Sequence, residues 1–264
     1  MSRAWMLGGA ACGALLALLS QAPASWLAQG LARASQGHLQ LAETRGSIWN
    51  GSGLLVLGGG RDSRDASVLP DRLEWRLGLQ GLGLELRARQ ACCLNGELRL
   101  RLEPGLGRFR LSLPAAATGQ DAWLARFPAA WLGGLGTPWN TLQLSGNLRL
   151  SARDFGLEWA QGRWQQQGQL DLDFVNLGSR LATVAPLGSY RFSLAAEPGL
   201  AGVAALRLST LEGALLLSGQ GSLSNARLRF QGEASAAPER EAALNNLLNI
   251  IGRRQGARSL ISIG

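Results

Sequence analysis

The sequence predicts a mainly β protein: a curved antiparallel sheet with one face covering the core, a few short helices, and a membrane helix at the N-terminus. Three observations carry this expectation. Leucine alternates with polar residues in short runs from Leu54 to Phe230. Glycine-rich turn chemistry separates those runs. An uncharged stretch, Ala4 to Gly30, precedes them all.

That first stretch is apolar apart from small residues between Trp5 and Leu19, with Arg3 on its N-terminal side. Two readings are open. As a retained anchor it extends through Trp26 and Leu27 to roughly 20 residues, the length that spans a bilayer, with Trp5 and Trp26 near the interfaces. As a cleaved signal peptide it ends at Ala22-Pro23-Ala24, a small-x-small pattern ahead of Ser25. The chain then divides into residues 1–30, an anchor with its flank, and residues 31–264, a β-rich domain of two similar layers at roughly 46–135 and 140–264.

The segment Gly46-Ser47-Ile48-Trp49-Asn50-Gly51 opens the domain. A β-branched and an aromatic residue between two glycines predict a short strand with a backbone bend at each end, and Trp49 in the core. Clear alternation follows in Leu73–Leu77, Leu82–Leu86, Leu98–Leu102, Phe109–Leu113, Leu142–Leu144, Leu170–Phe174 and Tyr190–Leu194. Each run has one apolar and one polar face, as antiparallel strands over a one-sided core require. Leucine prefers helix intrinsically, so the period must override propensity here.

Leu94-Asn95-Gly96 signals a hairpin. Matching the apolar faces across a three-residue loop sets Leu94 opposite Leu98 and Cys92 opposite Leu100. Cys92 then faces the core as a small hydrophobe and Cys93 faces solvent. A disulfide between them is the alternative, although adjacent Cα atoms, about 3.8 Å apart, fall below the usual disulfide range. Gly58-Gly59-Gly60 with Arg61–Ala66 reads as an open loop, and Pro104-Gly105 and Pro198-Gly199 as turns.

Leu73-Glu74-Trp75 recurs as Leu157-Glu158-Trp159. The spacing before the two tripeptides differs, which argues against a fixed-period solenoid. Trp75 and Trp159 are expected at equivalent core places, against the alternative of an aromatic ligand platform. Two helices are expected. Asp121 caps one carrying Trp123, Leu124 and Phe127 on one face and ending near Pro128. The other runs from Glu239 to Arg254, with Leu244, Leu247, Leu248 and Ile251 at i, i+3, i+4 and i+7. Its acidic start and its end at Arg253 and Arg254 suit the helix dipole. Leu260–Ile263 adds a last strand.

The chain carries 26 basic and 18 acidic residues, every basic one an arginine, for a net charge of +8. The arginines occupy the polar places of alternating runs, as in Leu98-Arg99-Leu100-Arg101-Leu102. That pattern makes a solvated sheet face rather than the contiguous patch a nucleic acid needs. The single histidine, His38, stands in a polar stretch with no GxSxG, HExxH or CxxC motif in the chain. An exposed structural His38 and a non-enzyme are therefore expected, with no catalytic, cofactor-binding or metal residues.

An N-terminal apolar segment, the Gly46, Ile48, Trp49, Gly51 segment, the Leu-x-Trp strand at Trp75, a second at Trp159, and a helix leading into Ile251-Gly252-Arg253-Arg254-Gln255-Gly256 follow one another in order. In that order the chain resembles the type II secretion system protein N family. The resemblance implies a single-pass inner-membrane protein with its β domain in the periplasm. It further implies an accessory role in moving folded proteins from the periplasm across the outer membrane. Its partners would be other secretion components of the inner-membrane platform or outer-membrane pore. The family brings no catalytic residues. A more distant likeness, to periplasmic proteins whose curved one-sided sheets handle lipids, gives the second expectation: a lipid or other hydrophobic ligand on the apolar face.

Overall fold

A computed structural model describes residues 13, 20–113, 123–197, 199–200, 202–224 and 227–264. Helix α1 (Ala24–Ala34) leads into β1 (Leu39–Gly46), β2 (Asn50–Gly58), β3 (Ala66–Gln80), β4 (Gly83–Arg89), β5 (Glu97–Gly105), β6 (Arg108–Ser112) and β7 (Trp123–Pro128). A 3₁₀ segment (Ala129–Leu135) and the single turn α2 (Trp139–Leu142) follow. The chain continues through β8 (Leu144–Ala160), β9 (Arg163–Ser179), β10 (Gly188–Ala196), β11 (Val203–Gly213), β12 (Leu215–Ser224) and β13 (Arg227–Ala236). Helix α3 (Glu241–Ile251), β14 (Arg253–Gln255) and β15 (Arg258–Ile263) complete it.

The strands make one antiparallel sheet in the order β1-β2-β3-β4-β5-β6-β8-β9-β10-β11-β12-β13-β15-β14, with β7 paired to β8 beside β6. The sheet is open, with β1 and β14 at its two edges. The mainly β, antiparallel expectation holds. Alternate connections fall at the same end of such a meander. The β1–β2, β3–β4, β5–β6, β8–β9 and β10–β11 turns share one end, and the β2–β3, β4–β5, β9–β10 and β11–β12 connections share the other.

The register sorts side chains onto two faces. Leu77, Leu86 and Leu100 stand side by side across β3, β4 and β5, as do Leu102, Leu111 and Leu157 across β5, β6 and β8. Their polar neighbours align on the opposite face. At the β9–β10 connection end the apolar face is closed by helical segments. Leu142, Leu144, Leu148, Leu187, Tyr190 and Leu215 pack there with Leu244, Leu247 and Leu248 of α3. The buried Tyr190 hydroxyl donates to the Leu215 carbonyl at 2.9 Å, and the same burial raises its pKa. None of the described helices packs substantially against β4, β5 or β6, so the apolar face there is only half-buried.

Three expectations are corrected. Trp123–Pro128 is the strand β7, not a helix; its amides and carbonyls are claimed by β8 on one side and by the 93–95 backbone on the other. Asp121, its expected cap, lies outside the described residues. Leu142 ends α2 and Gln143 turns through a left-handed φ of 44° before β8 begins, so Leu142–Leu144 is not a strand. Helix α3 stops at Ile251, because the extended backbone of Gly252 turns Arg253 and Arg254 into β14. The described fold also takes in residues before 31. Ala22 and Ala24 are buried, Pro23 bridges Ser47, and α1 lies along β1. The expected membrane segment ahead of Ala22, apart from Gly13, Ser20 and Gln21, lies outside the described residues, and no described helix is long and apolar enough to cross a membrane.

Candidate functional site

Gly46–Gly51 is the β1–β2 turn, not the expected short strand. Gly46 pairs with Gly51 and takes a φ of 84°, open chiefly to glycine. The Ser47 Oγ then accepts from the amides of Trp49 and Asn50, at 3.2 and 3.1 Å. A hydroxyl that captures backbone amides two and three residues on favours a turn over the strand propensity of Ile48-Trp49. Trp49 is half-buried and its carbonyl accepts from Leu77. The Ile48 amide donates to the Ala22 carbonyl at 3.0 Å, tying the incoming chain to the turn.

Trp75 completes this unit. Its side chain is only 2% exposed, and its indole N–H reaches the carbonyls of Ser47 and Ile48. Gly51 is the close approach that admits the ring: a Cβ there would lie 2.5 Å from Trp75 Cζ2. Trp159 does not share this environment. It sits next to the β8–β9 turn, opposite Trp164, with 39% of its surface exposed. The repeated tripeptide thus marks one core tryptophan and one surface tryptophan, because only the first has a turn folded over it.

The polar face carries a repeated electrostatic device. Glu85 accepts from Arg87 of its own strand at 2.6 Å and from Arg101, directly opposite on β5, at 3.2 Å. Glu97 repeats the arrangement with Arg99 and the opposing Arg89, at 2.9 and 2.8 Å. Asp173 is clasped between strands by Arg191 at 2.6 Å, with Arg149 at 3.9 Å. The Arg87 guanidinium, with help from Arg101, holds the Glu85 carboxyl below its ordinary range against the opposing effect of burial. Arg99 and then Arg89 do the same for Glu97. Burial pushes the Asp171 carboxyl up, but hydrogen bonds from Ser193, Gln169 and Arg153 outweigh it and leave the group lowered.

These carboxylates do not neutralise the face. Beside the Gly46–Gly51 turn a recess of about 380 Å³ opens between Arg45, Arg76, Arg87, Arg89, Glu74 and Glu97. Arg76 lies directly across from Arg87, which lies across from Arg99. Like charges so placed oppose one another unless a counter-charge intervenes. Arg45 and Arg76 make no ion pair among the described residues. A larger polar groove, about 840 Å³, runs over β10–β13 past Arg207, Gln220 and Arg229. The expected site residues Gly46, Ile48, Gly51 and Trp75 are therefore brought together beside an arginine-rich recess, while Trp159 stands apart. The arginines themselves escaped sequence reasoning. Their signal was there: polar places at Arg76, Arg87 and Arg89 become neighbours once β3 and β4 pair.

The cysteines correct a further expectation. Cys92 and Cys93 are joined by a disulfide, and it is Cys93 that is buried, with Cys92 exposed. The β4–β5 connection is longer than the three residues expected. Pairing ends at Arg89–Glu97, and Leu94 bridges Ala125 of β7 instead of opposing Leu98. The Arg126 amide donates to the Cys93 carbonyl at 2.7 Å, and the Asn95 amide to the Leu124 carbonyl at 3.0 Å. Buried Gln90 fastens the other side of the loop to the carbonyls of Pro70 and Asp71. The single histidine, His38, is exposed, with Nδ1 3.0 Å from the Gly58 carbonyl. Among the described residues no group of His, Cys, Asp and Glu has the arrangement of a metal site.

A broad open sheet, charged on one face and apolar on the other, with shallow recesses and tied turns, defines a β scaffold built to present surface. Over residues 37–260 the chain matches the family described as type II secretion system (T2SS), protein N, and it belongs to that family. It is thus a component of type II secretion, associated with the cell envelope and with other components of that system; the family is one of secretion components and not a known enzyme family. No curated protein and no solved structure matches the chain.

Proposed function

We propose that this protein is an accessory inner-membrane component of the type II secretion system. Its N-terminal apolar segment holds it in the membrane, and its β domain stands in the periplasm. There it contacts an acidic surface of another secretion component, of the inner-membrane platform or the outer-membrane pore. The observation that carries this reading is the arginine-rich recess beside the Gly46–Gly51 turn, where Arg45 and Arg76 have no carboxylate partner among the described residues. Surplus arginine on a fixed sheet surface suits an acidic partner, both by steering its approach and by fork-shaped pairing with carboxylates. The Cys92–Cys93 disulfide supports the periplasmic side, since disulfides persist in oxidising compartments.

The test is the double variant Arg45→Glu, Arg76→Glu in the full chain. Unchanged protein level and thermal stability with lost secretion and lost co-purification of platform or pore components is the expected outcome. Full secretion by that variant would refute the role of the recess. Binding through these arginines should also weaken as ionic strength rises.

A second reading, a hydrophobic ligand or lipid on the apolar face, is favoured by one specific feature: the half-buried leucines of β4–β6, with no described helix packed on them. Native mass spectrometry of the protein extracted from membranes would reveal a retained lipid, and delipidated protein of unchanged activity would dismiss it.

A further inference from the structure

The end of the sheet that holds the β1–β2 turn differs from the other end in what it shows to solvent. Leu82 in the β3–β4 turn is 95% exposed, and Leu106 at the tip of the β5–β6 turn is fully exposed. Trp164, beside the β8–β9 turn, is 47% exposed and stands opposite Trp159. These three turns are consecutive along this edge of the sheet. Isolated exposed leucines need no explanation, but a row of apolar tips at successive turns of one rim does. Arginine stands next to two of them: Arg108 two residues after Leu106, and Arg163 just before Trp164, both exposed. At the opposite end Val68 and Leu211 are half-exposed within their strands, but the connections show no such apolar tips: the β4–β5 loop is tied to β3 and β7, and the β2–β3 loop is polar, Arg61-Asp62-Ser63-Arg64-Asp65.

The incoming chain joins the same rim. The Ala22 carbonyl is bound by the Ile48 amide and Pro23 bridges Ser47, so residue 22 lies at the β1–β2 turn, the neighbouring turn of the row. Everything from Ala4 to Gln21 is uncharged and largely apolar in sequence. The half-exposed Trp26 sits in the first turn of α1, close to this junction.

From these two independent observations we infer that this rim is a membrane-docking edge, on which Leu82, Leu106 and Trp164 dip into the interfacial layer of a bilayer containing anionic lipid. Leucine supplies apolar area to the acyl boundary, and tryptophan favours the headgroup level. Arg108 and Arg163 meet the phosphates. The sheet would then stand on the membrane by its turns, with the arginine-rich recess beside the β1–β2 turn held near the surface and the helix-capped end pointing away. The inference rests on the anchored reading above and adds a second, peripheral contact to it.

The experiment places an environment-sensitive nitrobenzoxadiazole label, in a Cys12→Ser background of the full chain, at Leu82→Cys, at Leu106→Cys or at Asp62→Cys on the opposite end. Each is reconstituted in phosphatidylethanolamine–phosphatidylglycerol vesicles with a fraction of doxyl-labelled lipid, and circular dichroism verifies the fold of each variant. The expected result is blue-shifted emission and doxyl quenching at 82 and 106, with the label at 62 remaining as in water. Alkaline carbonate extraction is run in parallel on the unlabelled chain. Protein that resists carbonate while sites 82 and 106 quench no more than site 62 overturns the docking edge and leaves the anchor standing. Protein stripped by carbonate that nevertheless shows quenching at 82 and 106 at neutral pH supports the docking edge and removes the anchor. Protein that neither floats with the vesicles nor quenches overturns both.

Discussion

The indole N–H of Trp75 donates to the carbonyl of Ser47 at 3.3 Å, so a strand of the sheet interior is latched to the turn of the adjoining β1–β2 hairpin. Trp75→Ala removes a fully buried ring together with that latch and should cost roughly 3–5 kcal/mol. Trp159→Ala, at an exposed place, should cost much less. Thermal or urea unfolding of the two variants checks the contrast; equal losses would mean that Trp159 is covered in the native protein.

Gly51 is the complementary half of the same contact. A methyl group at this position would meet the Trp75 ring at 2.5 Å and the carbonyls of Arg45 and Ser47 at 2.7 and 2.8 Å. Two of those three neighbours are backbone and cannot rotate away. Gly51→Ala should therefore destabilise by about 1–3 kcal/mol, the ordinary cost of overpacking, and denaturant unfolding measures it.

Glu85, Glu97 and Asp171 all have carboxyl groups held below their ordinary range in the folded protein. A group so depressed binds fewer protons folded than unfolded in the acid range. Its stabilisation is present above the unfolded carboxylate value, about pH 4, and is lost as pH falls through the lower folded value. The melting temperature should thus fall as the solution is taken below about pH 4. The double variant Glu85→Gln, Glu97→Gln should start lower at neutral pH and show a shallower acid decline. A parallel decline in both proteins would assign the acid sensitivity elsewhere.

The β7 strand is held along one side by β8 and along the other by the disulfide loop. With Cys92→Ser, Cys93→Ser the loop loses its covalent brace, and the amide of Arg126, bound to the Cys93 carbonyl, should exchange with deuterium faster. Amides of β10, remote from the loop, should keep their protection. Hydrogen exchange resolved by peptide or residue reads both at once; unchanged protection of Arg126 would show that Gln90 and Asn95 suffice to hold the loop.

Much of the sheet was legible in the sequence because period-two alternation reports burial directly: Leu73–Leu77, Leu98–Leu102 and Tyr190–Leu194 all lie in strands with the faces expected. Local hydrogen bonding was not legible in the same way. The Ser47 hydroxyl makes a turn of a segment whose side chains favour strand, and neighbouring β8 makes a strand of Trp123–Pro128, whose spacing favours helix. The faces of Cys92 and Cys93 differ from those expected for a related reason: a longer connection shifts the register by which faces are counted. The recess was hidden because Arg45, Arg76 and Arg89 are distant in sequence and meet only through pairing.

The meander also governs how the chain can acquire its structure. Nearly every strand pairs with the next strand in the sequence, so each added hairpin closes a short loop at small entropic cost. A chain delivered N-terminus first, as through a translocation channel, can lengthen its sheet strand by strand without waiting for a distant partner. The exception is the last step. Leu244, Leu247 and Leu248 arrive after β13 is laid down, and until they do, the cluster that holds Leu148 and Tyr190 lacks their share of its packing. The closing stretch of the chain therefore acts as the final seal on a sheet already assembled, and truncation within α3 should yield a formed but sticky precursor.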